Sequence, residues 1–423
     1  MDKEDLTDRT ALFNRERAVA FMEQRGLDAL IASTAENVLY ASGFGSLSPF
    51  VFRDMDCFAL WPVGGNDPAL VIPKGELFWP ADQMPWVEDI VTYGNSTITL
   101  PENPGKLKGP EERLYGLLSA PEKSGSNAVE ALVKVLNDRG LKNGKLGLDE
   151  IGVSPQTAAA IREALPKAQV VDAFHSWREI RAVKMPEEIR RLREAARANE
   201  GALSEVYNSV AEGVDLDTLY QVYVANLANS GGKFTYWDSG VGSQSCSFFP
   251  SSDYRARPSD LVRIDGSCTW GYYWSDTGRT LVLDEPDGKT RACYSAIREG
   301  VEAGLEMVRP GIRASEVFDR IMETVKREGI PHYYRFHCGH GLGLEFYEIP
   351  AIRPVPRGQV SSPGYEDTVL EEDMVFNIEA PYYELGFGGM QLEESVLVTA
   401  DGYECLTQWD REMMTVSVRR GES

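Results

Sequence analysis

The chain holds 423 residues, 43% of them apolar and 26% charged, longer than the usual single domain of roughly 100–200 residues and too apolar for wholesale disorder. Its 65 acidic side chains against 43 basic ones leave a formal net charge of -22, which disfavours nucleic-acid backbones and anionic membrane surfaces as partners. No window approaches the roughly 18 apolar residues of a membrane span.

The first segment, 1–9, is polar and acidic and reads as neither a secretory signal nor an anchor, so a cytoplasmic protein is expected. Apolar residues at helical spacing over 14–25 predict a helix that leads through Gly26 into the short strand 27–32. Strands at 57–61 and 69–72 follow, punctuated by Gly64, Gly65 and Pro68. Residues 101–125, rich in Pro, Gly, Lys and Glu, read as a surface loop. A helix at 127–137, a strand at 145–149, a helix at 155–165 and a strand at 169–172 complete an α/β domain, 1–175.

At residue 176 the pattern changes. Pro186 stands where a first helical turn begins, and Ile189, Leu192, Ala196, Leu203, Val206 and Val210 form one apolar stripe that opens a second domain, 176–423. The arginines Arg190, Arg191, Arg193 and Arg197, interleaved with Glu187, Glu188 and Glu194, read as the solvated face of that helix. Further helices at 214–230, 288–308 and 314–329 alternate with strands at 261–265, 279–283, 374–379 and 394–398, an α+β arrangement. Six scattered cysteines without CxxC spacing predict free thiols and no zinc-thiolate site.

The chemistry concentrates in this second domain. An apolar strand ends in Asp265, a turn with Gly, Trp and Tyr follows, and a second strand starts at Asp276, so a hairpin brings two carboxylates side by side. Two close carboxylates repel, and a metal ion removes that cost; alone, the pair reads equally as turn-capping aspartates. Next, His340 lies within Gly339-His340-Gly341-Leu342-Gly343. The flanking glycines let the backbone fold tightly around a ligand, although in isolation a histidine in a glycine-rich turn reads equally well. Glu379 ends the apolar run from Met374, and Glu393 stands on a following strand. Four carboxylates and one imidazole make an oxygen-rich site suited to two divalent cations, with Mn²⁺ first and Fe²⁺, Co²⁺ or Zn²⁺ as alternatives. Such a pair acidifies water and polarises a carbonyl, which is machinery for hydrolysis.

Asp265, Asp276 eleven residues on, His340 in GHGLG, then Glu379 and Glu393 follow the order of metal ligands in a known family. The chain resembles the pita-bread metallohydrolases, which include methionine aminopeptidase, aminopeptidase P, prolidase and creatinase. The run from Arg178 to Ile189 is similar to the family's entry into the catalytic domain, and 26–40 is similar to a creatinase/prolidase-type N-terminal domain. The resemblance implies a pita-bread α+β catalytic domain, an α/β N-terminal domain, a homodimer, and an Xaa-Pro dipeptidase-like reaction in which a metal-bridging hydroxide attacks an amide. It also implies that Glu379 doubles as proton shuttle.

The chain departs from the family's peptidases in three places. Ser245-Cys246-Ser247-Phe248-Phe249-Pro250 stands where a PH motif is usual, Phe346-Tyr347-Glu348 where VHE is usual, and Gln391 where an arginine commonly precedes the last glutamate. With only His175, His332, His337 and His340 in the chain, no shift of alignment recovers the missing imidazoles. Tyr347 then stands in as a hydrogen-bond donor, and His337, one residue past the position of a prolidase histidine, either lines the substrate pocket or makes a structural hydrogen bond. Trp237, Phe248, Tyr272, Tyr273 and Trp274 are candidates for an aromatic pocket wall. Dipeptides or small amides are the expected substrates. The alternatives are a specialised small-molecule hydrolase or lyase, similar to ectoine hydrolase, creatinase or the sulfonium lyase of marine bacteria, and a non-catalytic binding module.

Overall fold

The computed structural model describes residues 12–47, 51–52, 55–64, 67–120, 124–247, 253–355 and 366–417. The polar stretch 1–9 and Phe248 lie outside them. Contacts divide the chain into two compact units, Met1–Arg181 and Ala182–Ser423.

The first unit runs α1 (Arg15–Arg25), β1 (Ala29–Ala32), α2 (Ala35–Ser42), β2 (Phe58–Pro62), β3 (Ala69–Pro73), α3 (Phe78–Gln83), β4 (Asp89–Tyr93), α4 (Pro110–Leu118), β5 (Ser124–Gly125), α5 (Ala128–Asp138), β6 (Lys145–Leu148), α6 (Pro155–Ala164), β7 (Gln169–Asp172) and α7 (Phe174–Arg181). Its seven strands form one sheet in the order β5-β4-β3-β2-β1-β6-β7. The antiparallel β1–β2 and β2–β3 pairs sit between parallel β3–β4 and β1–β6 pairs. Leu132, Val135 and Leu136 of α5 and Ile161 of α6 cover one face, against Ile31, Leu60, Val71 and Leu148. That burial answers the alternation of helix and strand read from the sequence.

The expected loop at 101–125 carries α4. Pro110 opens that helix with Glu111 and Glu112 in its first turn, and none of its residues is buried. Its apolar residues Leu114, Tyr115, Leu117 and Leu118 are half-buried and form too short a run, broken by Gly116, for periodicity to reveal a helix. The first unit also extends one helix beyond residue 176. Trp177 and Ile180 of α7 are fully buried, with the Trp177 ring 6.3 Å from that of Phe13.

The second unit opens with α8 (Pro186–Ser209) and α9 (Leu216–Asn229), followed by β8 (Lys233–Trp237), β9 (Gly240–Val241), β10 (Leu261–Trp270) and β11 (Tyr273–Leu283). Helices α10 (Gly288–Leu305) and α11 (Ala314–Arg327) lead to β12 (His340–Gly341), β13 (Glu348–Ala351), β14 (Val375–Glu379), β15 (Tyr382–Glu384), β16 (Gly388–Met390), β17 (Glu393–Val398), β18 (Tyr403–Cys405) and β19 (Met414–Val416). One sheet runs β19-β11-β10-β8 with β9 on β10, another runs β13-β12-β14-β17-β18, and β15 pairs with β16. The stripe of α8, including Leu203 and Val206, buries with Tyr223 of α9 against Ile264 and Leu281 of the first sheet. Val301 and Leu305 of α10 and Ile321 of α11 pack on Phe376 and Ile378 of the second.

The hairpin is tighter than the sequence reading has it. Its strands pair continuously from Leu261↔Val282 to Trp270↔Tyr273, leaving only Gly271 and Tyr272, at φ 55° and 75°, in the turn. Two central residues at positive φ make the loop whose twist suits a β-ribbon. Asp265 and Asp276 are therefore mid-strand residues and cap no turn.

Candidate metal centre

Of the five expected ligands, strand geometry brings Asp276, His340 and Glu393 together and sets Asp265 and Glu379 next to them in register. Asp265 pairs with Gly278 and Ser267 with Asp276, so the two aspartates lie one step apart on the same face of the ribbon, because side chains alternate with period two. In the other sheet Glu379, last in β14, pairs directly with Glu393, first in β17. The same alternation sends Glu394 to the opposite face, where it accepts from Arg279 at 2.8 Å. His340 enters through β12, paired with β14 at Gly341↔Phe376. The glycines flanking it serve this close approach: a Cβ on Gly339 would fall 2.0 Å from the Asn377 carbonyl oxygen, and one on Gly341 2.4 Å from that of Ile349. Their smallness admits neighbouring backbone where the sequence suggests a ligand.

Asp276, His340 and Glu393 are all buried, and one ligand atom from each lies within 4.8 Å of the others; His340 Nε2 is 3.6 Å from Asp276 Oδ2. Asp265 and Glu379 adjoin this trio through the pairings above, and both are 7% exposed. Burial pushes the Asp265 carboxyl well above the ordinary range, and the charges of Asp276 and Asp238 push it further. Glu393 is raised the same way, by burial and then by Asp276, Asp265 and Glu379. Asp265 Oδ1 is buried without a hydrogen-bond partner among the described residues. An orphaned carboxylate oxygen among repelling acids is what a divalent cation would satisfy, so the donor set fits one.

Glu379 behaves differently. Burial alone would raise its carboxyl, but the hydrogen bond to His337 and the charge of Arg335 outweigh it and hold the group below its ordinary value. His337 Nε2 lies 3.0 Å, and Arg335 Nη2 3.5 Å, from Glu379 Oε1. Tyr347 stacks on the His340 imidazole with ring centres 3.9 Å apart, and burial followed by the charges of Glu379 and Asp276 lifts its phenol above the ordinary value. It is a neutral donor at the rim of the trio.

The expected aromatic wall is partly different. Tyr273 is fully buried and donates to Glu188 at 3.1 Å, Tyr272 sits exposed at the hairpin tip, and Trp237 packs 4.8 Å from Tyr223. Among the described candidates Trp274, two residues before Asp276, is the one that faces this region. Its ring and that of Tyr236 lie 5.1 and 5.7 Å from Phe346, which is itself 5.0 Å from His340.

Three polar residues support the trio; Asn377 and Arg263 escaped the sequence reading, and Gln391 entered it as a departure from the family. Asn377 accepts from the His340 backbone N–H at 2.6 Å, and its Nδ2 lies 3.2 Å from Asp276 Oδ2, 3.1 Å from His340 Nε2 and in contact with Glu393. Gln391 Nε2 donates to Glu393 Oε2 at 3.2 Å, while its Oε1 accepts from Arg263 at 3.4 Å. Arg263 is fully buried and forms a two-pronged pair with Asp238, at 2.9 and 2.7 Å. The cation missing at position 391 is thus supplied from the neighbouring ribbon. The signal was there to read: Arg263 stands two residues before Asp265 and Asn377 two before Glu379, each on its ligand's strand face, and Gln391 stands two before Glu393.

Among the described residues no helix is long and apolar enough to cross a membrane. Residues 190–400 match the model of metallopeptidase family M24, and residues 14–183 match the creatinase/prolidase N-terminal domain. The Xaa-Pro dipeptidase of Pyrococcus furiosus is 30% identical over 240 residues, 56% of this chain and 66% of that protein. The Xaa-Pro dipeptidase of Lactobacillus helveticus is 28% identical over 265 residues, 61% of this chain and 69% of that one. The crystal structure of the prolidase from Pyrococcus horikoshii superposes with a TM-score of 0.73 at 22% identity, covering 95% of this chain and 99% of that one, which establishes a shared fold. Because the matched stretch 190–400 encloses all the acids and the imidazole just described, and a second match accounts for the first unit, this chain belongs to metallopeptidase family M24, among its pita-bread, prolidase-like members.

Proposed function

We propose that the chain is a divalent-metal-dependent hydrolase that cleaves the amide bond of a dipeptide, with Xaa-Pro dipeptides as the first substrates to test. The observation that carries this is the convergence of Asp276, His340 and Glu393, their ligand atoms within 4.8 Å of one another, in a chain of a metallopeptidase family. In this reading Asp265, Asp276, His340, Glu379 and Glu393 hold two cations. A set of four carboxylates and one imidazole favours Mn²⁺ over Zn²⁺, with Fe²⁺ and Co²⁺ between them. Bound there, divalent cations supply Lewis acidity that acidifies water and polarises a carbonyl.

The protein's own residues do the rest. Glu379, held ionised by His337 and Arg335, takes a proton from the attacking water and returns it to the leaving nitrogen. His337 orients that carboxylate through its 3.0 Å contact. Tyr347, protonated and stacked on His340, donates to the oxygen on which charge develops. Asn377 and Gln391 fix the rotamers of the ligands. The proposal extends to a cytoplasmic homodimer, supported by the family resemblance and by the free cysteines Cys57, Cys246, Cys268, Cys293, Cys338 and Cys405.

The test is turnover by protein loaded separately with Mn²⁺, Fe²⁺, Co²⁺ and Zn²⁺, on Xaa-Pro and other dipeptides and on small linear and cyclic amides. Dipeptide cleavage abolished by chelation is the expected result. Turnover of small amides alone would favour the specialised small-molecule reading, and no turnover by any metal-loaded form would end the proposal.

A further inference from the structure

The entry into the second unit carries a charge that the chemistry above does not use. Lys184 lies just ahead of α8. Its backbone N–H donates to the Asp373 carbonyl at 2.9 Å, and Val183 bridges to Met374 immediately before β14. From this fixed point Lys184 Nζ reaches Glu348 Oε2 at 2.6 Å, with both side chains wholly buried. A second buried carboxylate, Glu188, stands four residues on and accepts from the Met185 backbone N–H at 2.8 Å and from Tyr273 at 3.1 Å. As a source of stability such a pair is weak, since apolar residues of like volume often fill the same space without loss. What it does supply is a fixed direction for the groups it joins.

Glu348 closes the loop that leaves the imidazole. Gly341 pairs with Glu348 across β12 and β13, so the chain from Leu342 to Tyr347 doubles back on itself. Glu348 Oε1 accepts from the Glu345 backbone N–H at 3.1 Å. A Cβ on Gly343 would fall 2.4 Å from Glu348 Oε2, so the loop wraps its own carboxylate with a glycine at the point of closest approach. The ribbon holds the same loop from another side: the Trp274 backbone N–H donates to the Gly343 carbonyl at 2.9 Å and its indole to that of Leu344 at 3.0 Å. Tyr347 ends this loop. It is 49% exposed, yet its ring stacks on His340 with 26° between the planes. Rotamer choice depends on φ and ψ, and the backbone beside Tyr347 is the one that Glu348 pins.

We infer that the buried Lys184–Glu348 pair is a positioning device for Tyr347, holding its ring against the His340 imidazole. The catalytic consequence rests on the dipeptidase reading; the placement does not. The test follows the imidazole C–H signals of the four histidines by NMR in the full chain, ¹³C-labelled at histidine and loaded with diamagnetic Zn²⁺, because a ring stacked on an imidazole displaces its signals. His340→Ala assigns the signal. The wild type is expected to show it displaced, Tyr347→Phe to keep the displacement and Tyr347→Ala to abolish it. Removing one member of the pair strands a buried charge, so both are replaced: Lys184→Met with Glu348→Leu is expected to keep its thermal midpoint and lose most of the displacement. Gly343→Ala, which leaves both charges in place and pushes the carboxylate aside, is expected to do the same, and it decides alone if the double variant fails to fold. A displacement retained in these variants overturns the positioning role, as does a wild-type signal that Tyr347→Ala leaves unmoved. On a dipeptide, with metal content checked, Tyr347→Phe and the double variant are each expected to lower kcat rather than KM by about 10-fold or more, and their combination to lower it no further, since one donor cannot be lost twice. Losses that multiply overturn the shared role. Failure of the wild type to turn over is the separate outcome that removes the dipeptidase reading and leaves the spectroscopic result standing.

Discussion

Asn377 ties the site together, touching His340, Asp276 and Glu393 at once. Removing it strands several buried polar groups, each worth about 1–3 kcal/mol. Asn377→Ala is therefore expected to lower stability by about 2–4 kcal/mol and to weaken metal binding by roughly 10- to 100-fold, the usual range for lost support of a metal ligand. Urea unfolding and calorimetric metal titration measure the two effects, and unchanged affinity would show that the amide only fills space. The ligands themselves should separate from the rim. Asp276→Asn and His340→Ala are expected to leave folded protein with metal occupancy lost, whereas Tyr347→Phe keeps its metal and loses about 10-fold or more in kcat as a general donor is removed; equal occupancy in all three contradicts the assignment. Individual acids were legible in the sequence because each closes or interrupts an apolar run. The support from Asn377 was not, since a lone Asn in a strand carries no signal until its register to a ligand is counted.

Elements show the same limit in another form. Strands and helices with a buried face, such as β14 and α8, were readable from periodicity, while α4, with no buried residue, was not. Hairpin length was also hidden, because Gly266 to Ser275 contains turn-forming and strand-forming residues alike and only pairing chooses between them. At the start of α8, Glu188 reads as one charge of a solvated face, yet it is 1% exposed. It accepts from the Met185 backbone N–H at 2.8 Å and from Tyr273. Burial, only partly offset by Lys184, raises its carboxyl to about 7. The folded protein thus binds a proton that the unfolded chain, with an ordinary value near 4.5, releases earlier. That contribution is whole below about pH 4.5 and is lost as pH rises to about 7, at about 1.4 kcal/mol per unit of difference. Glu188→Gln is expected to flatten the fall of stability between pH 5 and 7 by up to about 3 kcal/mol, as read by denaturant unfolding at several pH values; an unaltered profile would mean the carboxyl is ionised in the native state.

For the whole molecule, contacts divide the chain at Arg181 and Ala182, whereas the change of pattern in the sequence falls at residue 176; the helix between them, α7, has a buried face that gives no hint of which core it joins. Each unit has a core of its own, so cations bound in the second act on its stability by mass action, about 2.7 kcal/mol at a hundredfold excess over Kd. Scanning calorimetry with and without excess EDTA is expected to show one component shifted down by several degrees and another unmoved. A uniform shift of the full transition would indicate that the two units melt as one.

The pairing of Glu379 with Glu393 on one sheet, opposite a ribbon bearing Asp265 and Asp276, also has a temporal side. During synthesis the ribbon emerges more than a hundred residues ahead of Glu393, so its two aspartates leave the ribosome with Arg263 beside them and no partner sheet. Until the final strands arrive, water solvates both carboxylates and their mutual repulsion stays at about 1 kcal/mol. A nascent chain stalled before Glu393 would hold half of the donor set, and the arrival of β17 is the step that completes it.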